Sequence, residues 1–199
     1  ADLAPEARRT YLETAIKHCK RVNKLVSDLF ELAKLEARDM AVHGEPFSVE
    51  ELVQDVVQKF RFRADEKGVG IHTNVEGELP FVRADIGLVE RVIENLLDNA
   101  LRHTPGGGSI GLLLGRDGDR VSVRVSDTGV GIPEDELPKI FERFHRLDAG
   151  RGDKSGRSGL GLAIARRILQ LHGSDIAVES EMNVGTTFAF WLPVHKPGQ

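Results

Sequence analysis

The first forty residues carry a heptad-like pattern. Leu12, Cys19, Val26 and Ala33 form one seven-residue series, and Ala15, Val22, Leu29 and Glu36 form the other. Ile16, Leu25 and Leu32 widen the stripe to the breadth of a bundle helix, beyond a strict coiled-coil seam. A helix of roughly 35 residues would run ~50 Å, too long for an ordinary core helix. A lone helix cannot bury such a stripe, so the pattern predicts a bundle or dimer helix with a partner.

His43-Gly44-Glu45-Pro46 breaks this helix and opens a new unit, which divides the chain into 1–42 and 43–199. Ser48 to Glu51 reads as a capping box, with Phe47 and Leu52 as the hydrophobic staple, and the helix should run to Lys67 and stop at Gly68. Val69 to Val75 alternates as a strand. Asp85 is the expected N-cap of a helix ending near His103, before Pro105-Gly106-Gly107-Gly108. Strands are predicted over 110–116 and 120–126, joined by Asp117-Gly118-Asp119. A glycine-rich stretch over 128–158 is predicted to be largely mobile. A helix over 161–172 and strands over 176–181 and 186–192 complete an α+β arrangement, helices on one side of a largely antiparallel sheet.

Composition narrows the classes. With 27 basic and 31 acidic residues the net charge is −4, which argues against a nucleic-acid module and its basic stripe. The lone Cys19 cannot form an internal disulfide, and no Cys/His group has zinc spacing. No apolar run approaches the ~20 residues of a membrane helix, and the N-terminus lacks the layout of a signal peptide. The chain reads as a piece of a longer protein, with membrane spans expected only in missing upstream segments.

Three segments could carry chemistry. On the helix from Asp85 to His103, Asn95, Asn99 and Arg102 lie at i, i+4 and i+7, forming a polar stripe beside the apolar face. Asn is disfavoured inside helices, and such local costs gather at functional sites. Amide oxygens suit a Mg²⁺ already held by phosphates, and Arg102 suits a phosphate oxygen. A plain solvated face would look the same. Asp127-Thr128-Gly129-Val130-Gly131 follows a strand; it is either a turn or a carboxylate placed to accept a hydrogen bond from an amino group. Ser155 to Leu162 feeds glycines into a helix N-terminus, either a linker or an anion site. It lacks the Gly-Lys-Ser/Thr of a Walker loop and the third glycine of the dinucleotide fingerprint.

In order and spacing these segments resemble the boxes of sensor histidine kinases of two-component systems. ENLLDNALRHT (94–104) resembles the N box, DTGVGIP the first glycine box and GLGLAIARRI the second. FERFHR (141–146) resembles the F box, and Gly185-Thr186-Thr187-Phe188 the closing glycine element. The resemblance implies a Bergerat-type α/β sandwich, a mixed sheet packed on helices and preceded by a long bundle-type helix, with a lid over about 128–158. It implies Mg²⁺ and phosphate roles for Asn95 and Asn99 and a phosphate role for Arg102. Asp127 would read adenine, and His103, Gly129, Gly131, Gly159, Leu160, Gly161 and Thr186 or Thr187 would complete the nucleotide site. Phe141 and Phe144 would anchor the lid.

Residues 8–40 resemble the second helix of the family's dimerisation and phosphoacceptor hairpin. The first hairpin helix would carry the acceptor histidine, and none of the seven histidines here has its His-Glu-apolar-basic-x-Pro setting. The expected chain therefore binds ATP and Mg²⁺ without phosphorylating itself. Its reaction would be transfer of the γ-phosphoryl group to a histidine of another helix, then relay to a response-regulator aspartate. The implied setting is the cytoplasmic part of a homodimeric bacterial sensor. The rivals are a hydrolysing ATPase of the same fold, whose pattern puts Glu where Asn95 stands, and a dimerisation module that binds nucleotide without turnover. Glu94 is one residue off, ~100° around the helix.

Overall fold

The computed structural model describes residues 4–37, 40–146 and 159–196. The long first helix, α1 (Pro5–Glu36), starts on a proline and ends in an extended Ala37. Tyr11, Leu12, Ile16, Val22, Val26, Leu29 and Phe30 are exposed along it, whereas Leu32 and Leu35 near its end are buried. Most of the predicted stripe thus has no partner among the described residues.

The end of α1 is docked on the rest of the chain. The Arg91 guanidinium reaches Asp28 at 2.9 Å and both Glu31 oxygens at 3.1 Å. Arg143 pairs with Glu36, and Arg167 Nε donates to the Leu35 carbonyl at 2.9 Å. Asp28 is 3% exposed, and a buried carboxylate is tolerated only when paired in this way.

A short strand, β1 (Glu45–Phe47), leads into α2 (Val49–Lys67). Ser48 caps α2 by accepting the Glu51 N–H, and Gly68 closes it in the left-handed region at φ 67°. Next come β2 (Gly70–Glu76), β3 (Val82–Ala84) and α3 (Ile86–His103). Asp85 caps α3 as expected, accepting from Leu88 N at 3.2 Å. The α3 face of Val89, Val92, Ile93, Leu96, Leu97, Ala100 and Leu101 is buried, at about 1.5–3 kcal/mol for each large side chain. Thr104 ends the helix in an extended conformation, as a residue before proline prefers.

The hairpin β4 (Ser109–Asp117) and β5 (Arg120–Asp127) is followed by α4 (Gly161–Leu171), β6 (Ala177–Glu181) and β7 (Gly185–Pro193). The main sheet has the order β2-β4-β5-β7-β6. The β2–β4 pair is parallel and the others are antiparallel. The sheet is mixed, and α2, α3 and α4 cover one face, with α1 against α4. The pair β1–β3 forms a second, two-stranded sheet that the sequence pattern misses; three-residue strands are too short to show an alternation.

On the covered face Ile110, Leu112 and Leu114 of β4 meet Val121, Val123 and Val125 of β5 and Phe188, Phe190 and Leu192 of β7, all buried. Between β5 and α4, residues 133–145 form a run of i→i+3 turns, including Glu136 N to Pro133 O at 3.0 Å and Glu142 N to Lys139 O at 2.8 Å. Within the expected lid, 147–158 lie outside the described residues. Of the two expected anchors only Phe141 packs inward, edge-on to Phe188 at 6.4 Å. Phe144 is 57% exposed at φ 62°; the left-handed turn that returns the chain toward Gly159 aims its ring outward.

Candidate functional site

Side-chain parity places Asp127. It stands on the same face of β5 as Val121, Val123 and Val125, so the strand alternation turns it toward the helices. It lies opposite Thr186 in β7, which shares its face with Phe188, Phe190 and Leu192. Both are nearly covered, Asp127 at 8% exposed and Thr186 at 6%. Thr187, one residue on, faces the other side, where its hydroxyl meets Ser126 Oγ at 2.9 Å. Of the two threonines the sequence offers, the pleat turns Thr186 to the cleft.

Asp127 Oδ1 accepts the Gly129 N–H at 2.8 Å, and the carboxylate also accepts from Thr186 N. Burial pushes its pKa above the ordinary value, and these two donors only partly oppose that. The loop beyond it is held close. A Cβ at Gly129 would fall 2.5 Å from Asp127 Oδ1 and 2.6 Å from the His103 carbonyl oxygen. At Gly131, with φ +73°, it would fall 2.2 Å from the Glu181 carbonyl oxygen. Only glycine fits there. Gly131→Ala should cost about 2–4 kcal/mol through left-handed strain and overpacking, read as a lower urea midpoint at unchanged slope.

Asp127, Thr186, Gly131, Ile132 and Ile140 form one end of a cleft of about 1040 Å³ including its open mouth. Along its wall α3 presents Asn95, Asp98, Asn99, Arg102 and His103. The predicted stripe is thus real, and the structure adds Asp98 at i+3 from Asn95, which the same helical spacing could have revealed. Arg63 holds Asp98 at 2.7 Å. Gly159, Gly161 and Leu162 form the facing wall at the start of α4, whose N-terminus has no side-chain cap. Its first N–H groups and the helix dipole favour an anion there. Gly129, Leu160 and Thr187 of the expected set do not line the cleft; Gly129 supports Asp127, and Leu160 is a fully buried core residue.

Asn95 Nδ2 is buried without a hydrogen-bond partner, and its Oδ1 lies 3.3 Å from where a Cβ on Gly161 would sit. The amide therefore occupies the junction of α3 with the start of α4, a donor awaiting an acceptor. Among the described residues no cluster of three or more His, Cys, Asp or Glu side chains could hold a metal alone. A Mg²⁺ here would fit only as a ligand shared between neutral amide oxygens and phosphates. His145 and Arg146 also line the mouth, with His145 2.7 Å from Glu136. The lining also includes Lys24 and Asp28 from α1; their sequence offers only a helix face, and their role is visible only once α1 docks.

Residues 84–196 match the family described as histidine kinase-, DNA gyrase B-, and HSP90-like ATPase. Over 193 residues, 96% of its length, the chain is 36% identical to the adaptive-response sensory kinase SasA of Synechocystis and spans half of that protein. Among solved structures it resembles full-length ShkA in complex with AMPPNP, at 31% identity and TM-score 0.82, covering 98% of this chain and 41% of that one. It also resembles histidine kinase ThkA in complex with the response regulator TrrA, at 25% identity and TM-score 0.79, over all of this chain and 55% of that one.

Proposed function

Since the chain belongs to the histidine kinase-, DNA gyrase B- and HSP90-like ATPase family, and its relatives are sensor histidine kinases, we propose how its cleft serves ATP-dependent phosphorylation of a histidine. Adenine enters the Asp127 end, where the carboxylate accepts from the exocyclic amine and Thr186 lies alongside. The carboxylate accepts and cannot donate, so it favours adenine over guanine. The phosphates run between the start of α4 and the α3 stripe, with Arg102 and the Asn95 amide as donors. Mg²⁺, shared by Asn95, Asn99 and phosphate oxygens, would neutralise charge on the transferred group. The chain's own task is to place the γ-phosphoryl group for in-line attack by a neutral imidazole.

The observation that carries this reading is Asn95 on the cleft wall where a hydrolase would need a base. An amide takes no proton at neutral pH, so it cannot activate water. Glu94, the neighbouring carboxylate, is not on the lining and sits 3.6 Å from Lys59 of α2. Residues 1–42 are read as the second helix of a dimerisation and phosphoacceptor hairpin. Its exposed apolar face would be covered by a first hairpin helix and the partner subunit's copy, and a response-regulator aspartate would receive the phosphoryl group. SasA is called a sensory kinase, and the ThkA structure contains a response regulator. No described helix is long and apolar enough to cross a membrane, and a membrane-anchored bacterial sensor around this cytoplasmic piece remains part of the proposal.

The test supplies the chain with MgATP, with and without a separately produced hairpin bearing an acceptor histidine. Acid-labile phosphate should appear on the hairpin and not on this chain. Steady ATP hydrolysis that is lost in Glu94→Gln would replace the kinase reading with the hydrolase one.

A further inference from the structure

The last four carbonyls of a helix lack the usual partner inside it, and in α3 all four are satisfied, by donors from Thr104, Lys67 and Val130. Ala100 O accepts from the Thr104 N–H at 3.0 Å and the Thr104 hydroxyl at 2.7 Å. Leu101 O and Arg102 O both accept from Lys67 Nζ, at 2.6 and 2.8 Å. His103 O accepts from Val130 N at 3.3 Å. The turn that carries Arg102 and His103 into the cleft is thus tied to α2 by Lys67. Through the His103 carbonyl it is also tied to the loop that supports Asp127.

Backbone contacts reinforce the same joint. Gly107 N donates to Gly68 O at 2.7 Å, and Gly70 N donates to Gly108 O at 3.0 Å. A Cβ on Gly106 would stand 3.0 Å from Lys67 O. The two carbonyls place the ammonium of Lys67 at the negative end of the α3 dipole. Two charge-assisted hydrogen bonds from one group fix the rotation of the last helical turn.

We propose that Lys67, remote from the cleft in sequence and absent from its lining, is a positioning residue for the nucleotide site. It sets the end of α3 so that Arg102 faces the phosphates and the His103 carbonyl carries the Asp127 loop. This inference rests on the nucleotide reading above. A misplacement of the last turn disturbs both ends of the ligand at once, because phosphate and adenine contacts hang on adjacent residues.

Calorimetric titration of the whole chain with ADP tests it, in Lys67→Met, Lys67→Arg and, as a control, Lys59→Met. Lys59 bridges the same two helices through Glu90 and Glu94, away from the cleft. Measured well below each variant's melting temperature, Lys67→Met should bind ADP about tenfold more weakly. Lys67→Arg should restore affinity to within about threefold, and Lys59→Met should match the wild type. Amide exchange at Val130 in the ligand-free protein should accelerate in Lys67→Met alone. A Lys67→Met protein that melts earlier but binds ADP as the wild type does, with unchanged Val130 exchange, would reduce Lys67 to a structural tie and overturn the inference. If Lys67→Met does not fold, Lys67→Gln takes its place under the same criteria. Failure of the wild type to bind ADP would instead sink the nucleotide reading and this inference with it.

Discussion

Asp127→Asn should weaken ADP binding about a hundredfold while leaving the protein at least as stable at pH 7. The first half follows from burial. Asp127 is 8% exposed on the cleft lining, where water is a poor substitute for a lost partner. A hydrogen bond to a buried charge contributes about 1.5–3 kcal/mol, and presenting an amide donor to an amino group adds an unpaired pair of donors. Together these reach about 2.7 kcal/mol, a hundredfold.

The second half follows from the direction of its pKa. Burial raises this carboxyl above its ordinary 3.8, with the Gly129 and Thr186 donors only partly opposing it. For an acid raised in the folded state, the fold holds the proton better than the unfolded chain does. That contribution is fully present below the unfolded pKa and is lost as pH rises through the folded one. At neutral pH the ionised group is therefore a net cost to the empty protein. Asn keeps an oxygen for the Gly129 N–H and removes the charge. Thermal unfolding should show no loss of stability at pH 7 and should lose the dependence between pH 3.8 and the raised value. The adenine preference should also narrow, because the new amide can donate to guanine's oxygen. A variant that binds ADP normally would exclude Asp127 as the adenine reader, and one that unfolds at pH 7 would overturn the stability half.

The parts legible in the sequence were those with a local signature. Ser48 and Asp85 announce their helices because a cap is a contact three residues long, and both make it. Asn95, Asn99 and Arg102 fall on one wall because helical spacing alone puts them there. Asp127 and Gly131 sit in a turn whose chemistry is written in consecutive residues. What stayed hidden depends on distant chain. The parallel β2–β4 pair spans about forty residues of sequence, and nothing within β2 states its neighbour or direction. Lys24 and Asp28 reach the cleft only because α1 docks through contacts such as Arg91 to Asp28, 63 residues apart in sequence, and Arg167 to the Leu35 carbonyl. Lys67 looks like any basic residue at a helix end until α3 arrives beside it. The choice between Thr186 and Thr187 needed the β5 register, since adjacent strand residues differ only in the face they take.

Asn95→Leu should separate stability from activity in the opposite sense to an ordinary site mutation. The Asn95 Nδ2 group is buried without a partner, a state that costs about 1–3 kcal/mol relative to a satisfied amide. Leu has nearly the same shape and no polar atoms, so the empty protein should gain about 1 kcal/mol in chemical denaturation. Natural proteins keep such a group when a ligand completes it. Phosphoryl transfer to an added acceptor hairpin should then fall about a hundredfold to a thousandfold, the usual loss when one preorganised donor to developing charge is removed. The increase in ADP affinity produced by Mg²⁺ should shrink as well, since the amide oxygen is lost with the nitrogen. Asn95→Glu asks the complementary question. It places a base four residues before Asn99, on the cleft wall beside the start of α4. If the amide is what keeps water from being activated, this variant should lose transfer and gain slow ATP hydrolysis. A Leu variant that is less stable and transfers at the wild-type rate would show instead that Asn95 is satisfied within the fold and has no part in the chemistry.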